Sequence, residues 1–129
     1  MNRKWQGMLL ICALVYVSAV SAQGPGLNRI MRKKLATSQK ILAAVVTSDW
    51  VSLEAKSRDL EALTRDPAWM VMKAPEYARH SAVFAAAARA LHDAAARRDL
   101  EGTPQAYNSL TLSCVQCHHY LARNRLARK

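Results

Sequence analysis

Apolar residues recur along most of this chain at intervals of three and four, the period of an amphipathic helix, and turn-forming residues interrupt the pattern three times. The first periodic stretch runs from about Leu27 to Thr47, with Leu27, Met31, Leu35, Leu42 and Val45 or Val46 on one stripe. Ser48 or Asp49 then stands as the N-cap of a second helix, which continues to about Thr64 and buries Leu53, Leu60 and Leu63. Asp66-Pro67 ends it, because a proline pushes the residue before it out of helical backbone. A longer link, Asp66 to Pro75, carries Trp69, Met70 and Met72. The third helix starts near Pro75, with Glu76 favourable at the positive end of the dipole. It turns Tyr77, Phe84, Ala88, Leu91 and Ala95 to one side and stops near Asp99 to Gly102. Thr103 is expected to cap the fourth helix, with Pro104 at its first position. There Tyr107, Leu110, Cys114, Cys117 or His118, and Leu121 share a stripe. Four amphipathic helices with short connections predict an all-α, antiparallel up-down-up-down bundle.

The apolar run from Met8 to Val20 has a different character, being interrupted only by Ser18. Arg3 and Lys4 precede it, and Val20-Ser21-Ala22 supplies residues that a signal peptidase accepts. At thirteen residues the run is shorter than the roughly 20 needed to span a bilayer. Residues 1–22 therefore read as a secretory signal and 23–129 as the exported, periplasmic domain. Cys12 follows Ile11 rather than a small residue, so it does not mark a lipoprotein cleavage site.

Export changes how charge and cysteines are read. Loss of Arg3 and Lys4 leaves 17 Lys and Arg against 9 acidic residues, a formal charge of +8. Such a balance favours an acidic partner protein or transient contact with an anionic membrane, and export removes nucleic acid from consideration. Only Cys114 and Cys117 remain, a pair that an oxidising compartment would ordinarily join as a disulfide.

The residue after the pair alters that reading. Cys114-Val115-Gln116-Cys117-His118 is the haem-attachment pattern CxxCH. Residues three apart share a helix face, so both sulfurs can reach the two vinyl groups of one porphyrin, and the following histidine offers its imidazole to iron. A redox dithiol would need a βαβ context that this chain lacks. A zinc site using Cys114, Cys117, His118 and His119 must overcome the roughly 100° between consecutive side chains on a helix. A disulfide across two intervening helical residues is strained.

A four-helix chain with CxxCH on its last helix, eleven residues from the end, resembles the class II c-type cytochromes, the cytochrome c′ and cytochrome c556 group. The likeness covers about residues 27–126 in architecture, but its specific motif residues are Cys114, Cys117 and His118 alone. Where cytochromes c′ commonly carry an aromatic and a basic residue three and four positions after the haem histidine, this chain has Leu121 and Ala122, with Tyr120 and Arg123 displaced. The resemblance implies one haem c per chain, with His118 as an axial ligand. It also implies either an apolar side chain from the first helix over an open iron or a methionine from that helix bound to it.

Antiparallel packing sets the C-terminal half of the fourth helix level with the N-terminal half of the first. Met31 is then the candidate distal ligand, Leu35 the candidate block, and Met70 and Met72 approach from the link. Lys33 and Lys34 carry donor atoms but are expected to be protonated and turned to solvent. His80 could lie near a haem edge, whereas His92 and His119 are read as boundary and surface residues. Trp69 or Tyr77 could pack on the haem. The leading functional expectation is one-electron transfer by a carrier that is not an enzyme. The alternatives are a five-coordinate haem protein that binds NO or CO, and a non-haem metal-binding bundle. Arg29, Arg32, Lys33 and Lys34 at one helix start gather with Arg123, Arg125, Arg128 and Lys129 at the other helix end, joined by Lys73 and Arg79. This predicts a basic docking face for the redox partner. Two bundles could also pair as a homodimer.

Overall fold

The computed structural model describes residues 25–126, so residues 1–22, expected to form a secretory signal, with Cys12 among them, and Arg128 and Lys129 lie outside the described residues. The described residues form four α-helices and no strand: α1 (Pro25–Thr47), α2 (Trp50–Leu63), α3 (Pro75–Ala96) and α4 (Gly102–Leu126). None is long and apolar enough to cross a membrane.

The connections explain why consecutive helices fold back on each other. At the end of α1, Ser48 takes a left-handed backbone (φ 54°), and the Asp49 amide donates to the Ala44 carbonyl at 3.0 Å. At the end of α3, Arg98 does the same (φ 53°), and the Asp99 amide donates to the Ala94 carbonyl at 3.0 Å. Both are Schellman-type terminators, which use up orphan carbonyls and reverse the chain within a few residues. Asp49 then caps α2, its carboxylate accepting from the Ser52 amide at 3.1 Å. Those hydrogen bonds hold its carboxyl below the usual range.

The start of α4 departs from the sequence expectation. Thr103 is buried with its hydroxyl unpartnered, so it does not cap the helix. Asp99 takes that role instead, its carboxylate accepting from the Gly102 amide at 2.8 Å and the Glu101 amide at 3.2 Å. A side chain at position 102 would meet that carboxylate and oblige the Asp99 side chain to shift from its capping position.

The longer connection, between α2 and α3, is held from within. Trp69 is buried and stacks on Phe84 with centroids 5.2 Å apart, and the Tyr77 hydroxyl donates to the Trp69 carbonyl. Met70 and Val71 beside it are exposed.

The core is a heptad ladder. Leu53, Leu60 and Leu63 on α2 meet Phe84, Ala88, Leu91 and Ala95 on α3, as the periodicity predicts. On α1 the buried positions are Ile30, Lys34, Thr37, Ile41 and Ala44, not the predicted stripe. Leu35, Leu42 and Val46 are exposed, with Met31 and Val45 half-buried. The cause lies in the packing: α1 lies along α2, α2 along α3 and α3 along α4, while α1 and α4 touch at isolated points. The bundle is therefore closed on three sides and open along the α1–α4 seam, onto which Leu27, Met31 and Leu35 face.

Candidate functional site

The open seam is where the sequence motif sits. Cys114, Cys117 and His118 lie on consecutive turns of α4, and each lines a cavity between that helix and α1. One cavity of about 320 Å³ is bounded by Leu27, Met31, Lys34, Trp69, Phe84 and Cys117, among others. A second, of about 200 Å³, is bounded by Met31, Lys34, Leu35, Tyr107, Leu110 and Cys114, among others. Met31, Lys34 and His118 belong to both walls, so the two are halves of one slot, with a cysteine in each half. The slot is mostly apolar, and Tyr107 ties its sides together by donating from its hydroxyl to the Ser38 carbonyl at 3.1 Å.

The electrostatics suit ligation from α4. Burial, and then the charge of Lys34, push the His118 imidazole below its ordinary pKa, which favours the neutral ring with a free lone pair. Burial raises the Cys117 thiol. The two cysteines are free thiols, half-buried, with no disulfide between them.

Lys34 overturns its sequence reading. It is not turned to solvent but is 7 % exposed, with its Nζ 3.5 Å from the Phe84 ring centroid and 4.8 Å from that of Trp69. The amine interacts with the Cys114 thiol and, electrostatically, with Cys117 and His118. Burial lowers its pKa, partly offset by the cysteines. No carboxylate pairs with it among the described residues. The sequence carried a signal for this: Lys34 falls on the Ile30–Thr37–Ile41–Ala44 heptad. Near it, the buried Trp69 Nε1 has no hydrogen-bond partner among the described residues.

The other sequence candidates divide cleanly. His80 lines the larger cavity and packs against Tyr120 at 5.3 Å between ring centroids. Tyr77 also lines it. His92 lies elsewhere, its Nδ1 3.4 Å from the Ser57 hydroxyl, and His119 is exposed. Neither Met70 nor Met72 lines the slot. Among the described residues, no three His, Cys, Asp or Glu side chains gather as a metal site.

The basic group is also rearranged. Leu27 and Asn28 near the start of α1 and Arg125 near the end of α4 line the same cavity, so those two ends do meet. Lys34, however, leaves the surface, Arg29 pairs with Asp66 at 3.4 Å, and Arg79 pairs with Glu76 at 2.9 Å. Lys33 stands with Asp59 and Asp66 on the side of α2.

No family of known proteins matches the chain, and no curated protein or solved structure is significantly similar to it.

Proposed function

We propose that the protein is an exported one-electron carrier of the class II c-type cytochrome kind, with one haem covalently held by Cys114 and Cys117. The observation that carries this reading is the coincidence of the CxxCH motif with the one side of the bundle left open and apolar. A four-helix bundle has no packing reason to leave Leu35 exposed and Leu27 and Met31 only half-buried along a seam, and a flat apolar group between α1 and α4 would supply one.

The donor set suits haem. Each thiol can add across a vinyl double bond, the sulfur–carbon bond forming as the thiol hydrogen passes to the other vinyl carbon, so attachment needs no oxidant. His118, whose partial burial and neighbouring Lys34 charge favour the neutral ring, would offer its lone pair to iron. Bound haem would supply a single-electron ferric–ferrous couple. The chain does the rest: Leu27, Phe84, Leu35 and Leu110 keep water from the slot, and the Tyr107–Ser38 hydrogen bond fixes its width. On the α1 wall Met31 and Lys34 are the donors facing His118, Met31 being the candidate named from sequence. Arg32 and Arg123 are exposed on α1 and α4 and would steer an acidic partner.

The test is the optical spectrum of protein matured with haem-attachment machinery. An electron carrier gives a low-spin ferrous form that is slow to take up CO and is reversibly oxidised by one electron. A high-spin ferrous form that binds CO rapidly would make gas binding the function.

A further inference from the structure

We propose that Lys34, through its Nζ, is the second axial ligand of the haem iron, opposite His118. This rests on the haem reading above and assigns the distal face of that same site.

The placement of the side chain carries the argument. Met31 and Lys34 are one turn apart on α1, and both line both halves of the slot. They differ in how they sit. Met31 is only half-buried, whereas Lys34 is almost wholly buried. Its Nζ reaches past the helix surface to the rings of Phe84 and Trp69 and to the Cys114 thiol. Its charge also acts on Cys117 and His118, and the side chain lines both halves of the slot together with His118.

Energetics make a merely structural role unattractive. Taking an ammonium out of water costs several kcal/mol even after relaxation. Its contacts with two aromatic rings offset part of that cost. No carboxylate is present to make up the difference. A lysine at this heptad position is therefore costly as a core residue, and its burial removes it from any docking surface. An amine that releases its proton to solvent on binding a metal has a lone pair to give, and Lys34 holds its nitrogen on the slot wall shared with His118. A neutral amine is a strong donor to ferric iron, and coordination would turn the costly group into a satisfied one. The remaining role for a buried cation here is pairing with a haem carboxylate, and arginine separates the two. Its guanidinium keeps the charge and the hydrogen bonds but does not deprotonate, so it cannot ligate.

The test uses the matured, haem-loaded chain. The ferric protein should be low-spin, with a near-infrared charge-transfer band at the position of imidazole–amine ligation rather than that of imidazole–thioether ligation. This measurement needs no variant. Lys34→Ala and Lys34→Arg should both lose that band, while Met31→Leu should keep it. A thioether-type band or a high-spin ferric form in the unmodified protein would overturn the assignment. So would a Lys34→Arg spectrum identical to the parent, which would make Lys34 a carboxylate partner. Haem remaining on the denatured chain in each case separates failure of this assignment from failure of the haem reading, which absence of covalent haem would mark.

Discussion

Two faces of the same bundle solve opposite problems. Along α2 and α3, Leu53, Leu60, Phe84, Ala88 and Leu91 interlock with almost no exposure, and large and small side chains alternate so that the helices approach closely. Along α1 and α4 the helices stand apart, and apolar side chains are left uncovered. The closed face holds the fold, and the open face carries the CxxCH motif. Leu35 and Val51 show how little exposure alone reveals. Leu35 is 61 % exposed and Val51 79 % exposed, yet one faces a slot with Cys114 and His118 while the other is an isolated surface residue. A lone exposed apolar side chain needs no explanation, whereas one standing with the half-buried Leu27 and Met31 opposite a CxxCH motif does.

Substitutions can break this comparison or sharpen it. The largest effect belongs to the closed face: Leu60→Ala should cost about 2–5 kcal/mol of stability, because Leu60 is fully buried and a cavity would replace it. Urea denaturation of the haem-loaded protein, followed by far-ultraviolet circular dichroism, measures this, and a loss well under 1 kcal/mol would show that the α2–α3 face is not the core. A smaller effect tests the seam. Leu35→Ser should destabilise the haem-loaded protein by about 1–2 kcal/mol, since haem would cover Leu35. Val51→Ser should stay within about 0.5 kcal/mol. Equal effects at the two sites would mean that nothing covers the seam.

The closed face was legible in the sequence because apolar residues there stand at unbroken helical intervals, and every predicted contact position on α3 is buried. The Asp49 cap was equally readable, being one of two adjacent candidates before a periodic run. The first helix was harder to read. Its true core stripe contains Lys34 and Thr37, so polarity disguised it, while the more apolar neighbouring stripe faces the seam. The start of α4 was misread for a related reason. Thr103 is a good capping residue by type, but Asp99 reaches the free amides first and leaves Thr103 turned inward. In the site, spacing alone gave Cys114, Cys117 and His118 a common face, because a helix fixes that locally. The heptad register with Ile30, Thr37, Ile41 and Ala44 marks Lys34 as buried, but its placement over Trp69 and Phe84 depends on how α1 sits against them, which no local pattern carries.

The mass of the denatured chain after maturation tests the central claim most directly. Haem joined through Cys114 and Cys117 predicts a polypeptide heavier by one haem, with no free thiol in residues 23–129 and with the added mass lost in Cys114→Ala, Cys117→Ala. A chain of unmodified mass, with two alkylatable thiols and all haem released, would contradict the account.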